Sequence, residues 1–123
     1  MAANKIIRFG PVALGASAAN IINPPTLTGG AGLSGTNVNT YVVIRHLRIV
    51  NKTNAAATFS LFIGATGASA GGTEFFGSGQ SVAANNYVDW YGMVRLDVAD
   101  FLTGLASAAA TLTIEGEGEI GVV

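Results

Sequence analysis

Residues 40–50, TYVVIRHLRIV, are the longest run of strand-forming side chains in the sequence, and they constrain the fold more than any other stretch. Tyr41, Val42, Val43 and Ile44 stand in succession, a polar turn NKTNAA follows, and a second apolar run, TFSLFIG, comes after it. β-Branched and aromatic residues lose side-chain freedom in a helix and pack well on a pleated surface. The pattern predicts a strand, a loop and a strand, most simply an antiparallel pair at the centre of a small all-β protein. Asn51, Thr53 and Asn54 can bond nearby backbone, which suits them to the turn. Neither parity of 40–50 is wholly apolar: Tyr41, Val43, Arg45, Leu47 and Ile49 alternate with Val42, Ile44, His46, Arg48 and Val50. Its first half therefore reads as buried on both sides, and its second half as a more polar end.

The remaining segments read as short strands joined by glycine-rich links. Residues 4–9, NKIIRF, form one strand, which Gly10 and Pro11 are expected to stop. Residues 12–22 are apolar without helical periodicity and read as an extended segment across a surface. Asn23 to Asn39 contains Pro24, Pro25 and four glycines and offers no convincing element. A tract of that length is unusual inside a compact domain, and an arm that orders against a neighbouring subunit would explain it; a loose surface loop is the plainer alternative. Strands are expected again at 58–63, 74–76, 86–91 and 94–98. Asp97, with Asp100 three residues on, could cap a short helical turn that Gly104 ends. The chain closes on the clearest alternation: Leu112, Ile114, Ile120 and Val122 share one face with Gly116 and Gly118, and Glu115, Glu117 and Glu119 share the other. Period two with one apolar face is a half-buried strand, and its central glycines imply a bulge, a bend or close approach by another backbone. Seven or eight strands with almost no helix make an all-β, two-sheet antiparallel β-sandwich or jelly roll with an extended N-terminal arm. A barrel is the runner-up. The expected division is an N-terminal strand with its arm or long loop over 1–39 and the sandwich core over 40–123.

Composition narrows the function. The chain has 123 residues, of which 11% are charged, with a formal net charge of -1. A small domain that stays monomeric usually carries more mixed charge, so a surface covered by copies of itself or by a partner is expected. Six basic residues scattered singly do not make the concentrated field that binds phosphate backbones, so no nucleic acid is expected. Cysteine is absent, which removes disulfides and thiolate metal sites. The opening MAANKIIRFG lacks a signal peptide's apolar stretch, and no apolar run is long enough to span a membrane. Cytoplasmic synthesis is expected, with the final destination open and no membrane partner.

No segment carries a catalytic signature. His46, the only histidine, has no acid or nucleophile near it in sequence and reads as a partly buried or interface residue. Glu115, Glu117 and Glu119 fall on one strand face roughly 7 Å apart, too wide for neighbours to grip one small cation. They read as a solvated face, as a ladder to Arg45, Arg48, Lys52 or Arg95, or as a calcium site. Tyr87, Trp90 and Tyr91, with Phe75 and Phe76 upstream and Asp89 among them, could stack on sugar rings or serve as core and interface packing. GATGASAGG meets no phosphate-binding fingerprint, and no serine sits in a nucleophile elbow. No enzyme, metal or cofactor is expected.

One family resemblance adds to these readings. The run IRHLRIVNKTNAAATFSLFIG resembles the core of small β-sandwich modules among the structural proteins of tailed bacteriophages. Those modules carry a strand I-x-x-I-x-(I/V)-x-N, a polar or alanine-rich turn, and A-T-x-S-L-x-(I/V)-G. Ile44, Leu47, Ile49, Asn51, Ala57, Thr58, Ser60, Leu61, Ile63 and Gly64 match. The aromatic strand 86–91 and the closing segment 110–118 are similar to the family's later strands. The resemblance covers roughly 40–122; the glycine-rich tract 26–39 departs from it.

What the resemblance implies is a virion component without catalytic or cofactor residues. The leading expectation is a capsid decoration (cement) protein, trimeric or otherwise homo-oligomeric, that binds the major capsid protein or other virion proteins. A neck or tail ring component and a carbohydrate- or receptor-binding tail module are the alternatives. Assembly contacts are expected at Ile21, Ile22, Pro24, Pro25 and Leu27 in the arm, and at the loop tip from Thr66 to Gly72.

Overall fold

The structure, a computed structural model, describes residues 5–22, 40–64, 74–97 and 100–122. Eight strands occupy them: β1 (Lys5–Ala13), β2 (Ala19–Ile22), β3 (Thr40–Asn51), β4 (Ala57–Gly64), β5 (Glu74–Val82), β6 (Tyr87–Leu96), β7 (Phe101–Ala106) and β8 (Leu112–Val122). They form two four-stranded antiparallel sheets, ordered β1-β8-β3-β6 and β2-β7-β4-β5. Strand one pairs with eight, two with seven, three with six and four with five. That nesting is a long double ribbon folded over on itself, the connectivity of a jelly roll.

The two sheets close over one core. Val42, Ile44, Leu47 and Ile49 of β3, Phe59 and Leu61 of β4, Leu96, Leu102, Leu112 and Ile114 are all buried. Each such side chain contributes about 1.5–3 kcal/mol relative to exposure. The burial pattern of β3 explains why its parity looked mixed. Pairing with β8 slips by one residue between Ile44 and His46. Even-numbered residues face the core before this bulge and odd-numbered residues after it, while Arg45 and His46 both face outward. Across the bulge, a Cβ on Gly118 would collide with the Val43 carbonyl, and one on Gly116 with the His46 carbonyl. Close backbone approach is thus the reason for the closing strand's glycines.

Three expectations change. β3 and β4 are not a hairpin, because they belong to opposite sheets. Residues 52–56 carry the chain across the sandwich, and the Asn51 side chain fixes the corner: its Nδ2 donates to Ala55 O (2.8 Å) and Val82 O (3.1 Å), and its Oδ1 accepts from Thr53 N (2.9 Å) and Thr53 Oγ1 (2.7 Å). β1 does not stop at Gly10 and Pro11 but continues to Ala13 through a register shift between Phe9 and Val12. It is an edge strand, where a missing proline N–H is tolerated. The expected helical turn does not run on to Gly104, because Phe101–Ala106 is strand; residues 98–99 lie outside the described residues. Asp97 and Asp100 exchange backbone and side-chain bonds, and β7 follows, paired on both sides by β2 and β4. Gly104 is buried where Leu61 and Ile21 pack over it.

Residues 5–22, grouped above with the arm, contribute a strand to each sheet, and Leu14 is buried in the core. No helix among the described residues is long and apolar enough to cross a membrane.

Candidate functional site

The outer face of the β1-β8-β3-β6 sheet gathers most of the chain's distinctive chemistry. Alternation on β8 sends Glu115, Glu117 and Glu119 outward, and alternation on β6 does the same for Tyr87, Asp89, Tyr91 and Met93. β3 lies between those strands and adds Arg45, His46 and Arg48, the first two turned outward by the bulge.

His46 sits at the centre of this face. Its Nδ1 lies 2.5 Å from Glu117 Oε1 on β8, and its Nε2 lies 2.9 Å from Asp89 Oδ1 on β6. A neutral imidazole has one N–H and can satisfy only one of these carboxylates; the imidazolium donates to both. Burial alone would push the imidazole pKa down, but the bonds to Asp89 and Glu117 together outweigh it and hold the value above its usual 6.5. Asp89 also accepts both Arg48 Nε (2.7 Å) and Arg48 Nη2 (2.9 Å), a bidentate pair. Arg48, followed by His46, lowers the Asp89 carboxyl to about 2. Three strands are thereby tied through one protonated ring.

Every other charge pair described on this face is also internal. Arg45 meets Glu119 at 2.8 Å, and Arg95 meets Asp97 at 2.6 Å. The glutamate row is therefore a cross-strand ladder within the chain at Glu117 and Glu119, while Glu115 stands opposite Arg48 in register. His46, Glu115 and Glu117 offer ligand atoms within 4.8 Å of one another, a donor set of one imidazole nitrogen and two carboxylates. A cation there would have to break the His46–Glu117 bond and displace its proton, so we assign no metal to it.

The aromatic residues divide between the two faces of the sheet. Trp90 points inward, packs against the core and meets Phe75 edge-on with centroids 5.3 Å apart. Tyr87 and Tyr91 point outward and are 52% and 71% exposed. The Tyr91 ring lies flat on His46, with centroids 4.6 Å apart and planes at 20°. The Arg48 guanidinium lies 4.5 Å from the centroid of Tyr87. Met93 and, at the far edge, Ile6 are exposed as well.

Of the assembly residues expected from the sequence, Ile21 and Ile22 lie on β2, half-buried against this chain's own core, with Ile22 opposite Leu102. Pro24, Pro25, Leu27, Thr66 and Gly72 lie outside the described residues. The grouping of His46, Asp89 and Glu117 was missed in the sequence. These residues are 43 and 71 positions apart, and the only local signal was a histidine at a parity break. Neither a scan of protein-family models nor a search of curated proteins finds a match for the sequence.

Proposed function

We propose that the chain is a non-enzymatic structural protein of a virion: a decoration protein that binds neighbouring capsid subunits and stabilises the head. The observation that carries this reading is the nested pairing of eight strands into a jelly roll, an architecture that viral capsid proteins use repeatedly. It occurs in a chain whose segments 44–64 and 110–118 resemble modules of tailed-phage structural proteins. The paired charges agree with the reading. A surface with few charges, most of them neutralised internally, can pack many times over on a symmetric lattice without accumulating repulsion. The proposed partners are the major capsid protein and further copies of the chain, most simply as a trimer. The tract with Pro24, Pro25 and Leu27 and the loop from Thr66 to Gly72 are the proposed contacts.

The test is the copy number in purified particles, measured by quantitative peptide mass spectrometry against the major capsid protein. A decoration protein is expected in a fixed, near-stoichiometric ratio. A handful of copies per particle would move the chain to a neck or tail ring, and its absence from particles would overturn the proposal.

A further inference from the structure

We infer that the outward face of β6 and β3, centred on Tyr87 and Tyr91, is a binding platform for an uncharged oligosaccharide. This inference rests on the geometry of that face and not on the virion reading.

The two rings stand on the same face of β6, four residues and about 14 Å apart by the strand rise. That is longer than one sugar ring and fits a short run of linked rings. Each tyrosine has a β3 side chain against one ring face, Arg48 against Tyr87 and His46 against Tyr91, and because β6 is the edge strand and both residues are exposed, the opposite ring face is open to solvent. Ring faces fixed in this way present a flat π-surface with little conformational entropy left to lose on binding. The C–H face of a pyranose complements that surface, and its rim of hydroxyls needs donors and acceptors between the rings. Arg48, opposite Asp89 between the two rings, supplies donors with a side chain 40% exposed, and Glu117, 48% exposed, adds an acceptor farther across the face on β8.

Charge decides between this ligand and others. Basic groups interleaved with aromatics also describe a single-stranded nucleic-acid platform. Here, however, the cations around the tyrosines are paired, Arg48 with Asp89, Arg45 with Glu119 and Arg95 with Asp97, and Arg8, opposite Glu117 on the far strand β1, is a single charge that makes no track for a phosphate backbone. A protein partner fits poorly too, because the centre of a protein interface is depleted in charge. On this face, by contrast, Asp89 stands between the two tyrosines, and His46 and Arg48 lie beside them. The surface complements a ligand without net charge whose apolar patches are separated by polar rims.

The test titrates the full chain with maltohexaose, cellohexaose and chitohexaose, with glucose as the single-ring control, and reads amide shifts by NMR. At least one hexasaccharide is expected to give saturable shifts centred on Tyr87, Tyr91 and Arg48, with glucose far weaker. Tyr91→Ala and Tyr87→Ala should each weaken binding by about twofold to tenfold, the size of one lost aromatic stack. Tyr91→Phe, which keeps the ring, should retain binding. Both residues are exposed, so dispersed spectra of the variants will separate lost binding from lost folding. The proposal is overturned if none of the three oligosaccharides shifts this face, or if the alanine variants bind as well as the parent. A changed solution mass of Tyr91→Ala would also overturn it, because the face would then be a protein contact.

Discussion

His46 bridges two carboxylates from opposite sides, and this makes the stability of the protein depend on a single proton. The sign follows from the direction of each shift. His46 has a folded-state pKa above its usual 6.5, so its contribution is complete below that pH and is lost as pH rises through the folded value. Asp89, lowered to about 2, contributes fully above its ordinary 3.8 and loses its contribution as pH falls toward 2. Stability should therefore be greatest between roughly pH 4 and pH 6.5. Urea midpoints measured across this range should decline on the alkaline side in the parent and stay flat there in His46→Gln. An equal alkaline decline in both proteins would mean that the bridge contributes nothing.

At the scale of elements, the corner from β3 to β4 depends on Asn51, which is 1% exposed and holds the carbonyls of Ala55 and Val82 with one side-chain amide. Asn51→Ala would leave both carbonyls without that donor and free the Thr53 bonds. The expected loss is about 2–3 kcal/mol, read from urea unfolding; a loss below about 0.5 kcal/mol would place this substitution among ordinary surface changes. This corner also marks where the sequence was legible and where it was not. Strand positions followed from alternation and turn chemistry, so 40–50, 58–63 and the closing segment were found to within a few residues. Asn51, Thr53 and Asn54 identified the turn, yet nothing local distinguishes a hairpin turn from a crossing between sheets. The bulge at Arg45 and His46 reversed the inward parity of β3, which is why neither parity of the whole strand is purely apolar. Pro11 suggested a stop because its missing N–H matters inside a sheet, and it does not on the edge that β1 occupies.

For the whole molecule, the two-sheet all-β class was readable from the number of short alternating segments, but the assignment of strands to sheets was not. β1 pairs with β8, and the register from Lys5↔Ile120 to Ala13↔Thr113 joins the two ends of the chain with no motif to announce it. The same long-range pairing assembles the His46 face from three strands, so the site becomes visible only after folding. It also changes how the N-terminal region can be probed. Removing residues 1–38 would take β1 and β2 out of their sheets, so the contribution of Pro24, Pro25 and Leu27 to assembly must be examined by substitution. The central claim, that this jelly roll decorates a phage head, is tested most directly by immunogold electron microscopy with antibody to the chain. The particles should be those released from cells that carry its gene. The account predicts gold distributed over the head surface; gold confined to the neck or tail, or particles that remain unlabelled, would contradict it.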